Sequence, residues 1–276
     1  ADDGDLNIAI GQAALGAGDV SGFNNIAIGT TSADALTTGA CNIAMGINAL
    51  GAGIAAHFNI AIGDSAIAVG EDGDCNIAIG SGALGGGNVS AQNNIAIGMH
   101  TMDALTTGAC NIAMGENAYG TAQAGTYNIA LGNTAMGGCL VTGASNVAIG
   151  QNAADALLAG ECNVAIGDNA GGASTTTIHN VAIGTCAFAV GTTSCNNVAI
   201  GRNAMGGGVA TGFGANVAIG KLAMDALTTG MCNVAIGTDA LGAATTACLN
   251  IAIGELALGA GTLACGGAGQ AEGNIA

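Results

Sequence analysis

The side chains able to do chemistry in this 276-residue chain are ten cysteines, three histidines and eighteen Asp and Glu. Five thiols, Cys41, Cys75, Cys110, Cys162 and Cys232, each stand directly before an Asn, separated by 34, 35, 52 and 70 residues. No Cys-x-x-Cys pair occurs, so the spacing of a zinc site is missing. Six of the acids gather in two short stretches, Asp2, Asp3 and Asp5, then Glu71, Asp72 and Asp74. Neither follows the loop patterns that wrap calcium. No spacing joins a Ser or Cys to a His and an acid as a nucleophilic triad would need. We therefore expect no enzyme activity, no metal and no cofactor.

Charge narrows the classes further. Only Arg202 and Lys221 are basic, and the net charge is −16. A nucleic-acid partner needs clustered Lys and Arg, so none is expected. No uninterrupted apolar run of about 18 residues exists, and membrane insertion as a helix is not expected either. Half the chain is hydrophobic but only 2% is aromatic, with 51 Gly and no Pro. Such a composition calls for thin layers packed from small residues.

A repeat supplies those layers. The pentapeptide Asn-[Ile/Val]-Ala-[Ile/Met/Leu]-Gly occurs fifteen times in full, first at Asn7 and last at Asn250, with a truncated copy at 274–276. Steps are 17 or 18 residues, apart from one of 19 and a final 24. Asp-Ala-Leu recurs at Asp34, Asp103, Asp155 and Asp225, spaced by four, three and four units. Each unit offers one short strand, an apolar segment after Gly, and a Gly/Thr/Ser-rich return. This reads as one coil of a solenoid. The expected fold is all-β: a single-domain parallel β-solenoid (β-roll) over 1–276, of about 15 coils of 17–18 residues. Proline would remove a ladder donor from every coil, which accounts for its absence.

With the motif Asn numbered 0, the columns divide by residue type. Positions 1 and 3 are always large and aliphatic, and are expected to form inward core ladders: Ile8, Ile10, Ile26, Ile28, Ile77, Ile79, Val164 and Ile166. Position 2 is Ala in every copy. Alternation along a strand would then place Ala27, Ala44, Ala61, Ala78, Ala96 and Ala113 on the outer face, as a close-packed interface with another chain. Position 7 is Ala except at Ser32 and Thr101, and position 8, mostly Leu, Met, Ile or Phe, reads as a second core ladder. Position 5 carries Asp64, Glu116, Asp168, Arg202, Lys221 and Glu255, so it faces solvent. Asn25, Asn42, Asn59, Asn76, Asn94 and Asn111 are expected to point inward as a hydrogen-bonded amide ladder at the corner.

The column before Asn also holds Leu6, Phe58, Tyr127, His179 and Leu249, so its cysteines are expected to be buried small hydrophobes. Cys41 and Cys75 lie two coils apart, about 9.6 Å, beyond disulfide reach. Cys248 and Cys265, 17 residues apart, are candidates for a disulfide between adjacent coils, and Cys186 with Cys195 for one within a coil. The histidines fall in three different columns, and the Asp-Ala-Leu acids lie about 14 to 19 Å apart, so neither set converges.

The units Asn42-Ile-Ala-Met-Gly-Ile-Asn-Ala-Leu50 and Asn76-Ile-Ala-Ile-Gly-Ser-Gly-Ala-Leu84 resemble the Asn-x-Ala-Val-Gly-x-x-Ala-Leu repeats of phage tail fibres and bacterial surface fibres. They are also similar to the heads of trimeric autotransporter adhesins of the YadA type. The resemblance covers nearly the whole chain and implies a left-handed β-roll that trimerises as an adhesive or receptor-binding rod, extracellular, on a cell surface or on a virion. The autotransporter motif has a further residue after Asn and usually shorter coils, and this chain shows no stalk or anchor.

The leading expectation is a structural subunit of such a fibre or filament, its partners being copies of itself. Contact would run through the Ala face or by head-to-tail stacking, because the chain starts and stops within the repeat. The alternative is a trimeric head or tail-fibre shaft binding a host-surface glycan or receptor. Ice binding is a minor alternative, as Thr37-Thr38 and Thr106-Thr107 recur only every four coils.

Overall fold

A computed structural model describes residues 6–16, 20–69, 73–87, 90–208, 214–259 and 275–276. The chain divides into two compact units, Ala1–Thr142 and Gly143–Ala276. The fold is an all-β parallel solenoid, and each of fifteen motif copies contributes one three-residue strand. The first unit carries β1 (Ile8–Ile10) through β8 (Ile129–Leu131), and the second β9 (Val147–Ile149) through β15 (Ile251–Ile253). Within each unit consecutive strands pair in parallel and in register, so Ile26, Ala27 and Ile28 sit beside Ile43, Ala44 and Met45. In the second unit Val164, Ala165 and Ile166 likewise sit beside Val181, Ala182 and Ile183. Within each unit, positions 1, 2 and 3 of successive coils are thus physical stacks.

The corners are built from left-handed residues. In each coil the residues at positions −1, 6 and 8 have φ between +48° and +66° wherever they are not Gly. Such a conformation costs roughly 1–2 kcal/mol for an ordinary L-residue and least for Asn. Position 6 meets the demand with Asn48, Asn117, Asn152, Asn169 and Asn203. Bonds between coils offset the strain: the amides of Asn48, Leu50 and Cys41 donate to the carbonyls of Thr30, Ala66 and Phe23. Position 4 is Gly because its φ lies between +127° and +139°, and a Cβ at Gly46 would strike the carbonyl of Gly63.

The two faces of the strand are reversed relative to the sequence expectation. Ala27, Ala44, Ala61, Ala78, Ala96 and Ala113 are fully buried inside the coil and form no outer surface. Of the expected core ladders, Ile8, Ile10 and Ile79 are exposed, while Ile26, Ile28, Ile77, Val164 and Ile166 are half-buried, all pointing out. The reason is parity. Positions 0 and 2 share a face of the strand, so an inward Asn carries Ala inward with it and turns positions 1 and 3 outside.

Position 8 fills the interior opposite Ala. A Cβ at Gly171 would lie 3.5 Å from the Ala165 Cβ, which shows that positions 2 and 8 of one coil face each other. Leu50, Leu84, Met102, Tyr119, Met136 and Phe188 are buried there. Where position 8 is only Ala33 or Ala154, Leu36 or Leu157 of Asp-Ala-Leu is buried in the same coil. That tripeptide therefore supplies core volume.

Candidate interaction surface

The amide ladder is the most regular polar feature. The backbone N–H of Asn42 donates to Asn25 Oδ1 at 3.0 Å, and Asn59 repeats this on Asn42 at 2.9 Å. Asn76, Asn94 and Asn111 continue the series at 2.8, 3.0 and 2.9 Å. Each Nδ2 also reaches a carbonyl of the return segment, as Asn42 does to Ala56 at 2.7 Å and Asn94 to Gly108 at 3.0 Å. These side chains are buried and their groups are used within the coil stack, so their role is structural. Asn128 departs from the pattern by donating to the buried Tyr119 hydroxyl at 2.8 Å. Burial, opposed by this bond, holds the Tyr119 phenol above its ordinary pKa. Ser32 and Thr101, the two exceptions at position 7, donate to the carbonyls of Ala44 (2.8 Å) and Gly115.

The histidines do not converge. His57 Nδ1 accepts from the Ala40 amide at 3.0 Å, and its own amide donates to Asp74 at 2.7 Å. His100 stands 3.9 Å from Asp103 on the surface. No metal-holding group of three or more His, Cys, Asp or Glu forms among the described residues. Burial raises the Asp225 carboxyl above the usual carboxylate range, with Asp239 adding to the shift and the Gly207 amide opposing it. Its Oδ1 has no hydrogen-bond partner.

One interior site is incompletely filled. Where Gly171 replaces the large residue of position 8, a cavity of about 20 Å³ opens among Ala154, Leu157, Ala165, Gly171, Ser174 and Phe188. The buried Ser174 hydroxyl lines it without a hydrogen-bond partner.

The thiols differ from expectation. Cys75, Cys162 and Cys232 are exposed, and Cys41 and Cys110 half-buried. Position −1 has the parity opposite to the inward Asn, so its side chains leave the coil. Cys186 and Cys195 are free. They occupy different columns, with their sulfurs beside Asn169 Nδ2 (3.8 Å) and Asn196 Nδ2 (3.5 Å) respectively, so the expected bridge does not form. Cys248 is disulfide-bonded; Cys265, its expected partner, lies outside the described residues, as do Asp2, Asp3, Asp5, Glu71 and Asp72.

What remains is an outer face unlike the rest of the surface. In each coil the strand side chains at 1 and 3 point out, and the flanking corner residues at −1 and 5 are exposed in most coils. Position −1 presents Leu6, Phe58 and Tyr127, exposed to 80, 61 and 65%. Positions 1 and 3 present the aliphatic ladders, with Met45, Ile79, Met114, Ile149 and Ile236 counted among exposed residues. Position 5 forms a mostly polar border with the exposed side chains of Asp64, Glu116, Asp168, Arg202 and Lys221, interrupted by the exposed Ile47 and Met99. Each unit thus presents an apolar strip with a thiol-bearing rim on one side and a mostly polar rim on the other. Sequence parity alone was the signal for this face. No protein-family model matches the chain, and no curated protein matches it.

Proposed function

We propose that this chain is a non-enzymatic structural subunit that associates with copies of itself through the outward aliphatic strip. The observation that carries the reading is the outward placement, half-buried to exposed, of uninterrupted Ile, Val, Met and Leu columns in a chain of net charge −16. In the first unit the strip spans the three-residue strands, about 10 Å, by eight strands at about 4.8 Å, on the order of 400 Å². Contiguous apolar patches beyond a few hundred Å² mark interaction sites on soluble proteins. A second copy is the occupant that fits, because it presents an equally flat, uncharged ladder of the same spacing. The repeat resemblance supports a fibre-type role, extracellular, on a cell surface or on a virion, and the disulfide at Cys248 fits an oxidising compartment.

Sedimentation velocity of the full chain with and without Ile79→Lys and Ile97→Lys tests the proposal. A wild-type oligomer that both variants convert to folded monomer is expected. Wild-type protein that stays monomeric at the highest attainable concentration overturns it. The second reading is a trimeric head or tail-fibre shaft that binds a host surface, favoured by the exposed aromatic rings of Phe58 and Tyr127, which suit stacking on sugar. Glycan-array binding lost in Tyr127→Ala would support that reading; an array without signal would remove it.

A further inference from the structure

Position −1 of the first unit reads Asn24, Cys41, Phe58, Cys75, Asn93, Cys110 and Tyr127 over seven successive coils. Its three thiols are free, and the two intervals, 34 and 35 residues, are each two coils. Neighbouring thiols are then about 9.6 Å apart, too far to bridge within one chain. The column therefore holds three outward thiols, evenly spaced and symmetric about Cys75, at the rim of the strip through which self-association was proposed above.

We propose that this column is a redox-dependent cross-linking site between two copies packed antiparallel, joining Cys75 to Cys75 and Cys41 to Cys110. The inference rests on self-association through the strip. A two-fold axis along the stacking direction sets the thiol rim of one copy against position 3 or 5 of the other, so thiol never meets thiol. A two-fold axis along the strand direction superposes like columns and reverses their order. Centred on Cys75, it places Cys41 opposite Cys110, Phe58 opposite Asn93, and Asn24 opposite Tyr127. At position 5 it sets Asp64 opposite Met99 and Glu116 opposite Ile47, so no two acids meet and no carboxylate is forced against its like.

The chemistry balances with a small disulfide as oxidant. The Cys75 thiolate of one copy attacks oxidised glutathione, an S–S bond breaks, and one glutathione thiol leaves. The Cys75 thiolate of the second copy then attacks the mixed disulfide and releases a second glutathione. Two protein thiols are oxidised, one disulfide is reduced, and the two protons finish on the glutathione thiols. Reduction by a dithiol reverses the lock, so assembly becomes covalent only under oxidising conditions.

The test incubates the full chain with oxidised glutathione, then applies non-reducing electrophoresis, peptide mapping of disulfides, and sedimentation in reducing buffer. A band near twice the 25.8 kDa chain is expected, with Cys75–Cys75 and Cys41–Cys110 peptides. Cys75→Ser is expected to keep the Cys41–Cys110 link, and Cys41→Ser with Cys75→Ser and Cys110→Ser to lose at least tenfold of the doubled band. Cys41–Cys41 links, links through Cys162 or Cys232 alone, or glutathione adducts without a doubled band overturn the proposal. If the reduced protein still associates in those cases, self-association through the strip stands and only the thiol lock fails. A chain that is monomeric in reducing buffer and uncrosslinked in oxidising buffer fails both.

Discussion

The inward and outward columns of the same three-residue strand behave differently. Inside, position 2 is Ala and position 0 is Asn throughout; outside, positions 1 and 3 move freely among Ile, Val, Met and Leu, and position 5 accepts Ile47, Asp64, Arg202 or Thr238. The difference teaches that invariance within this repeat records steric closure. The interior is so narrow that Ala fills the gap facing position 8, whereas an outward residue needs only to pack on its neighbours in the stack. An invariant small residue is here the mark of the core, and the variable large one the mark of the surface.

The comparison breaks first at the amide ladder. Asn94→Ala leaves the Asn111 amide and the Gly108 carbonyl without their side-chain partner. At about 1–3 kcal/mol per orphaned group, a loss of about 2–6 kcal/mol is expected in urea unfolding; a loss under 1 kcal/mol would show the ladder to be dispensable. The next largest effect is overpacking. Ala113→Leu forces a branched side chain into a site with no exposed surface, for an expected loss of about 1–3 kcal/mol. The matched outward change, Ile112→Leu, is expected to alter unfolding by less than about 1 kcal/mol. Equal effects at 112 and 113 would erase the distinction between the faces.

A change in the opposite direction sharpens it. Gly171 has φ +59°, close to the +49° to +53° that Leu, Met and Phe adopt at position 8 of other coils. Gly171→Leu fills the cavity; its burial gain of about 1.5–3 kcal/mol outweighs a left-handed cost of about 1–2 kcal/mol. Roughly 1 kcal/mol of added stability is expected by thermal unfolding, while Gly171→Ala, with one methyl to offset the same cost, gains nothing.

The smallest effect is at the boundary between inside and outside. The folded-state carboxyl of Asp225 has a raised pKa, so the folded chain binds that proton more tightly than the unfolded one. Its contribution is fully present below the unfolded value and fades as pH rises through the folded value. Asp225→Asn should therefore flatten the decline of melting temperature with rising pH above the ordinary carboxylate range. A slope unchanged from wild type would show that burial at this site has no energetic consequence.

Coil length, parallel stacking, the in-register columns and the amide ladder were all legible in the chain, because a 17-residue period without proline leaves little besides a solenoid. The identity of the core was legible only in part. Position 8 read correctly as apolar and inward, and position 5 as exposed. Alternating large aliphatics suggest a core on the opposite face of the strand, although the inward Asn already implies an inward Ala. Exposure of the thiols was hidden for the same reason, since position −1 shares parity with the outward ladders. The Gly171 cavity had a visible sign, a glycine in an apolar column, but its size depended on Leu157 and Phe188 from other coils.

By itself, then, the sequence determined the repeat, its pitch and which residues stack on which, since these follow from period and hydrogen-bonding alone. Only the tertiary structure decided which way each column points. The direction depends on three left-handed corners per coil, at positions −1, 6 and 8, and on the width they leave inside. That width admits Asn, Ala and one large residue, and it turns Ile, Val and the free thiols of position −1 outward.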